Sequence, residues 1–489
     1  MLASFDGERI TLDEAQRFAN VPVRVLNSLH WDALRLFDDI KTGLQKIART
    51  HRNIAALGVD TWGVDFALLG RDDALLGNPF HYRDARTQGM MARVFETVPR
   101  EFVFEQTGVQ FMEINSLYQL YAMKLQNAPA LEHAHTFLMM PDLFNFWLTG
   151  VKACEFTNAT TTQCFDPRMK NWAYPLLQAL EIPTEIFPRI ISPGTVLGKL
   201  HKNLADEIGI QNVLVIAPAC HDTGSAVAGA PLENENVAWL SSGTWSILGA
   251  NVANPIINAA SWKYNFTNEG GVNNTFRLGK NVMGLWILQE CRREWSRAYA
   301  APATEGRNHA TKQNAELSYA EVVSEAERAP ARRSLIDPDA DLFLRPGDMP
   351  ARIAEFCART HQTIPQTRGE ITRCVLESLA LKYRFQLERL QDLLGKKLEQ
   401  IHMFGGGIQN QLLCQFTANA TNTFVTAGPI EATALGNVVM QMLALRYIDS
   451  LRQGREIIKQ SFETKTYAPR ETDAWDDAYG RFKKIIDLP

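Results

Sequence analysis

Several things are missing from this 489-residue sequence, and each absence narrows the choices. No apolar run approaches the roughly 18–20 residues needed to cross a bilayer. The opening stretch Met1-Leu2-Ala3-Ser4-Phe5-Asp6-Gly7-Glu8 has neither the basic region nor the apolar core of a secretion signal. The seven cysteines, at 154, 164, 220, 291, 357, 374 and 414, are odd in number and contain no Cys-x-x-Cys pair. That argues against a disulfide scaffold and a zinc knuckle and suits a reducing, cytoplasmic setting. Neither sign of charge dominates: 50 basic against 54 acidic residues give −4, which supplies no field for gripping a phosphate backbone. Neither nucleic acid nor a membrane is an expected partner.

Common chemistry motifs are missing too. The positions five before the glycine of each Gly-Lys pair are Pro193, Asn274 and Leu390, so there is no P-loop. There is no Gly-x-Gly-x-x-Gly after a strand, no His-Glu-x-x-His and no Gly-x-Ser-x-Gly. Readings as a dinucleotide oxidoreductase, zincin or α/β-hydrolase lose their main support.

What is present is a strand-and-helix rhythm. Residues 1–18 read as a hairpin turning at Asp6-Gly7, which needs a sheet to join. Residues 32–49 follow helical spacing, and 54–59 read as a buried strand ending at Asp60. Strands are expected at 213–217, 238–240, 245–249 and 401–404. The expected class is α/β with mixed sheets and more than one core. A small-residue helix gives way to Pro231 and polar residues near 229–234, which sets a boundary between domains 1–230 and 231–489. The polar stretch 308–350 reads as a helical insertion or lid rather than core.

Five segments carry chemistry. The strand at 213–217 ends in Pro218-Ala219-Cys220-His221-Asp222-Thr223, which puts a carboxylate at the mouth of a sheet. Asp222 reads either as a general base or only as a helix cap. Trp239-Leu240-Ser241-Ser242-Gly243-Thr244-Trp245-Ser246 is a hairpin whose turn can nest an anion, or a plain turn. Phe404-Gly405-Gly406-Gly407 lets a flat ligand lie on backbone, or is a tight strand-to-helix bend. Asp60-Thr61-Trp62-Gly63-Val64-Asp65-Phe66 and Tyr82-Arg83-Asp84-Ala85-Arg86 offer sugar-binding groups, and loop anchors would look the same.

In this order and spacing the segments resemble the FGGY carbohydrate kinases, and within them the branch that phosphorylates L-rhamnulose. Thr157-Asn158-Ala159-Thr160-Thr161-Thr162-Gln163, Phe266-Thr267-Asn268-Glu269-Gly270-Gly271 and Asn281-Val282-Met283-Gly284-Leu285-Trp286-Ile287-Leu288-Gln289 carry the resemblance further. It implies a two-lobe, actin-like ATPase (ribonuclease H-like) fold with a ligand cleft between the lobes. It also implies ATP with Mg²⁺, and transfer of the γ-phosphoryl group to O1 of L-rhamnulose. On matching positions, Asp222 is the implied proton acceptor, with Gly63, His221, Thr223 and Asn281 around the sugar and Thr244, Gln289 and Gly406 on the nucleotide. The resemblance names no metal ligand.

Family members open with a strand and an Asp-x-Gly loop ending in Ser-x-Arg. Met1-Leu2-Ala3-Ser4 aligns just after that loop, so the expectation is a chain without the first strand and phosphate loop. Two alternatives stay open here: a kinase-derived sugar- or nucleotide-binding protein without turnover, and a kinase for fuculose or xylulose. The oligomeric state is open, a monomer included.

Overall fold

The alternation of apolar strands with amphipathic helices yields a mixed α/β chain of two units in a computed structural model that describes residues 1–51, 53–300 and 317–486. One unit comprises Met1–Pro231, Ala250–Gly279 and Glu431–Glu463. The other comprises Leu232–Gly249, Lys280–Ile430 and Thr464–Pro489.

In the first unit, Leu2–Phe5 and Ile10–Asp13 form the expected antiparallel hairpin. Asp6 Oδ1 accepts the backbone N–H groups of Glu8 at 2.8 Å and Arg9 at 2.7 Å, which closes the turn. The hairpin joins no larger sheet among the described residues. Instead its apolar side, including Phe5 and Ile10, packs with Leu435, Val439, Ile457 and Ile458, so helices supply the burial expected of a sheet. The Ala33–Thr50 helix starts at Asp32, whose carboxylate caps the N–H of Arg35.

The strand expected over 54–59 is paired only at Ala56–Leu57. It forms one edge of a sheet ordered Thr195–Lys199, Leu214–Ala217, Ala56–Leu57. The segment then leaves the ladder and meets the continuation of Leu214–Ala217 again at a single bridge, Thr61 to His221. More than one core forms, as expected. Phe66, Phe104, Phe137, Phe165 and Trp172 build an aromatic cluster, and Leu36, Leu69, Leu138 and Phe144 build another.

In the second unit, Val237–Ser242, Gln400–Phe404 and Phe424–Ala427 are parallel neighbours, with Leu240 opposite Met403 and Met403 opposite Ala427. Trp245–Val252 runs antiparallel beside the first of these strands, and Lys465–Tyr467 antiparallel beside the last. The 27-residue helix Arg368–Leu394 buries Leu376, Leu379 and Tyr383 completely.

Part of the expected polar lid, 301–316, lies outside the described residues. The rest corrects the expectation, because Val322, Ala326, Leu335, Ile336 and Phe343 are all fully buried. Val322 and Ala326 stand four apart on the Tyr319–Arg328 helix, so a mostly polar sequence still presents one apolar stripe. That helix lies close against Arg368–Leu394, where a Cβ on Gly369 would come within 2.6 Å of the Glu325 carbonyl oxygen. All seven cysteines are buried and unpaired. Among the described residues no helix is long and apolar enough to cross a membrane.

Candidate active site

The first unit places Asp222 as the first residue of the Asp222–Gly229 helix, immediately after the Leu214–Ala217 strand has passed through Cys220 and His221. Backbone pairing fixes this corner: Thr61 N–H donates to the Cys220 carbonyl at 2.9 Å, and Asp222 N–H donates to the Thr61 carbonyl at 2.8 Å. The Asp60–Gly63 stretch and the His221–Thr223 corner are thereby brought side by side. The Asp222 side chain is 46% exposed, and its Oδ1 accepts the Thr223 backbone N–H at 2.5 Å and hydroxyl at 3.1 Å. No described residue donates a hydrogen bond to Oδ2. The N-cap position is held by His221 without a side-chain cap bond, so Asp222 is not the helix cap, and its Oδ2 remains available for chemistry.

Gly63 is crowded: a Cβ there would come within 2.9 Å of Thr161. The Thr161 hydroxyl accepts the N–H of Val64 at 3.0 Å, and Val64 holds a φ of +65°, a conformation that β-branched residues avoid. Asp65 accepts both the Trp31 indole at 2.5 Å and the Trp62 indole at 2.9 Å, with Gln119 at 3.1 Å. Burial pushes its carboxyl up to about 6, against these hydrogen bonds. Asp84 accepts the backbone N–H groups of Leu29 at 2.6 Å and Arg86 at 3.0 Å. Both aspartates act as loop anchors that hold the walls around Gly63.

Behind His221 lies a buried charge cluster. The Arg277 side chain, 1% exposed, approaches His221 Nδ1 at 2.9 Å, Glu269 at 3.1 Å and the Gly270 carbonyl at 2.8 Å. Burial alone would raise the Glu269 carboxyl, but the Arg277 guanidinium beside it holds it below the usual range. Asp60 is half-buried and receives the Asn437 amide at 2.5 Å. Burial raises its carboxyl to about 7, opposed by the Asn437 bond and reinforced by the charge on Asp222.

The second unit holds Thr244, Gln289, Gly406 and Asn281. Val237–Ser242, Gln400–Phe404 and Phe424–Ala427 all end at one edge, where ligands of open α/β sheets bind. Gly243 and Thr244 form the loop after the first strand. Their carbonyls accept the N–H groups of Leu285 at 2.9 Å and Trp286 at 3.2 Å, which positions the Trp286–Ala300 helix. Thr244 Oγ1 and the Gln289 side-chain amide then meet at 3.2 Å. At the second strand end a Cβ on Gly407 would fall 2.1 Å from Ser242 Oγ, and one on Gly405 2.8 Å from the Ser242 carbonyl oxygen. Gly406 between them has open space above its Cα. Asn281 lies on the Phe276–Met283 strand. Its neighbour Lys280 is buried, and burial lowers its ammonium to about 7.

Profiles of carbohydrate kinases fit both halves of the sequence. The FGGY family of carbohydrate kinases, N-terminal domain, matches residues 12–229, and its C-terminal domain matches residues 238–445. A rhamnulokinase of Bacteroides thetaiotaomicron is 41% identical over 486 residues, 99% of this chain and 96% of that protein. The chain belongs to the FGGY family of carbohydrate kinases. A rhamnulokinase of Halalkalibacterium halodurans is 40% identical, covering 95% of each chain.

Among solved FGGY kinase structures, the xylulose kinase of Lactobacillus acidophilus superposes with a TM-score of 0.78 at 18% identity, over 98% of this chain and 94% of that one. Plasmodium falciparum glycerol kinase superposes at 0.76 with 14% identity, over 96% and 92%. The fold is that of the FGGY sugar kinases, two α/β domains of the actin-like ATPase type.

Arg277 and Asn437 are not among the candidate site residues that the sequence offers, and Asp60 and Glu269 stand in its motifs without a role of their own. The signal for Glu269 was its place in the Phe266–Gly271 stretch, but nothing local says that the carboxylate is buried or that Arg277, eight positions on, returns to it. As for metals, no group of three or more His, Cys, Asp and Glu among the described residues could hold one alone. A nucleotide-borne Mg²⁺ needs only one or two carboxylates beside phosphate oxygens.

Proposed function

We propose that this chain transfers the γ-phosphoryl group of ATP to O1 of L-rhamnulose, giving L-rhamnulose 1-phosphate and ADP, a step in L-rhamnose breakdown. The observation that carries the reading is that rhamnulokinases match at 36–41% identity over 94–99% of this chain. In the reaction the O1–phosphorus bond forms, the bond to the ADP oxygen breaks, and the hydroxyl proton leaves O1. Asp222 takes that proton on Oδ2, and Gly63, His221, Thr223 and Asn281 surround the sugar. Thr244, Gln289 and Gly406 hold the nucleotide: a hydroxyl and an amide offer polar contacts, and the open face of Gly406 admits a flat base. Mg²⁺ accompanies ATP and, when bound, would neutralise phosphate charge. The substrates are small molecules, no nucleic acid is involved, and the reducing cytoplasm suits seven unpaired thiols.

The test is ADP release from ATP and Mg²⁺ with L-rhamnulose, L-fuculose or D-xylulose. Rhamnulose is expected to give the highest kcat/KM. A lead by another ketose, or no ADP with any of them, overturns the proposal. Asp222→Asn is expected to lower kcat by about 10²–10⁴-fold while KM for the sugar changes little. A near-normal kcat would remove Asp222 from its role.

A further inference from the structure

The cluster behind His221 does more than fill space. A guanidinium only donates hydrogen bonds. Arg277 Nη2 stands 2.9 Å from His221 Nδ1, so Nδ1 must present its lone pair there. A proton on Nδ1 would set donor against donor at that distance. The imidazole proton therefore sits on Nε2, which lies 3.4 Å from Asp222 Oδ1. With the Thr223 backbone N–H and hydroxyl, this makes a third donor facing the same carboxylate oxygen. Oδ2 is left as the oxygen free to receive a proton.

Glu269 sets the balance. Its Oε2 is 3.1 Å from Arg277 Nη2 and 3.4 Å from His221 Nδ1. While Arg277 is present, the carboxylate neutralises a buried cation that would otherwise be costly. Without Arg277 the nearest partner of Nδ1 would be an acceptor, which would draw the imidazole proton to Nδ1. The Nε2 lone pair would then face the Asp222 carboxylate. Asp60 and Glu155, whose Oε2 accepts the Cys220 N–H at 2.9 Å, are further ionisable groups facing this corner.

We infer that the buried Glu269–Arg277 pair is a positioning device: it fixes His221 in the Nε2–H tautomer, so that His221 steadies one oxygen of Asp222 and leaves the other to accept the substrate proton. Neither Glu269 nor Arg277 touches the reacting atoms. This inference rests on the kinase reading above only for its effect on turnover.

The experiment is ¹⁵N NMR of histidine-labelled protein, with the His221 signals assigned by their loss in His221→Gln. The unaltered protein should show Nε2 protonated and Nδ1 not. Arg277→Met should move the proton to Nδ1 and lower kcat about 100-fold, the scale of a reacting group misplaced by about 1 Å, with a much smaller change in KM. Glu269→Gln keeps the Arg277 donor and should keep the tautomer.

Protonated Nδ1 in the unaltered protein overturns the inference even if neither variant folds. So does Arg277→Met that retains the Nε2–H form. If no ketose is phosphorylated, the function reading fails while the spectrum still decides the tautomer. If rhamnulose is phosphorylated but Nδ1 carries the proton, only the inference fails.

Discussion

Asp222 shows how much of a residue's chemistry is set by neighbours far away in sequence. Its local partner is Thr223, one position on, yet Thr61, His221 and the buried Glu269–Arg277 pair frame it. Gly63 is a steric constraint in the same corner. Thr161 cannot retreat from an added methyl group, because its hydroxyl donates to the Asn158 carbonyl at 2.8 Å and accepts from Val64 at 3.0 Å. Gly63→Ala is therefore expected to destabilise the protein by about 1–3 kcal/mol. It should also raise KM for the ketose several-fold, as read from thermal melts and steady-state kinetics. Unchanged values in both would mean that the wall yields. The motif around Gly63 was legible as a sequence. That Asp65 in it serves as an anchor for two indoles was not, since a sugar ligand and a loop anchor draw on the same residue types.

At the scale of elements, the Asp222–Gly229 helix owes its placement to glycines on both sides of a contact. A Cβ on Gly436 would fall 1.7 Å from the Ser225 carbonyl oxygen, and one on Gly229 2.3 Å from that of Ala432. Two backbones therefore touch where the Ala432–Ala444 helix crosses. Gly436→Ala is expected to lower the melting temperature sharply and to lower activity with it, because the displaced helix begins at Asp222. Gly480 is the counter-case: it is exposed inside the Thr472–Ile486 helix with nothing within 4 Å of an added Cβ. Gly480→Ala should stabilise by about 0.5–1 kcal/mol, through reduced backbone freedom in the unfolded chain. A denaturant midpoint shifted downward would contradict this. The small-residue pattern 224–229 was readable as a helix, but its partner, some 200 positions later, was not.

At the scale of the molecule, titration of an acid partly withdrawn from water links stability to pH. Asp60 rises from the ordinary value of 3.8 to about 7, first through burial and then through the charge on Asp222, against the Asn437 hydrogen bond. Between those values the folded protein holds a proton that the unfolded chain has released. The contribution is thus full below about pH 4 and is lost as pH rises through 7. Asp60→Asn cannot titrate, so its melting temperature should gain on that of the unaltered protein between about pH 5 and pH 8. A constant gap across that range would show that Asp60 does not carry the linkage. Lys280, lowered to about 7 by burial, acts with the opposite sign and in a higher window, losing its contribution as pH falls from about 10.5 to 7.

The sequence alone determined the α/β class, the hairpin at Asp6-Gly7, the strands that lead to Asp222, Gly243 and Gly405, and the kinship with FGGY kinases. All of these reside in local periodicity, turn chemistry and the order of short motifs. Tertiary structure decided what depends on contacts between distant segments. It returned 250–279 and 431–463 to the first unit. It turned part of the polar 308–350 stretch into core. It set Arg277 against His221, and so determined which nitrogen carries the proton beside Asp222. Burial and approach angle are properties of the packed chain, and no window of sequence around His221 contains them.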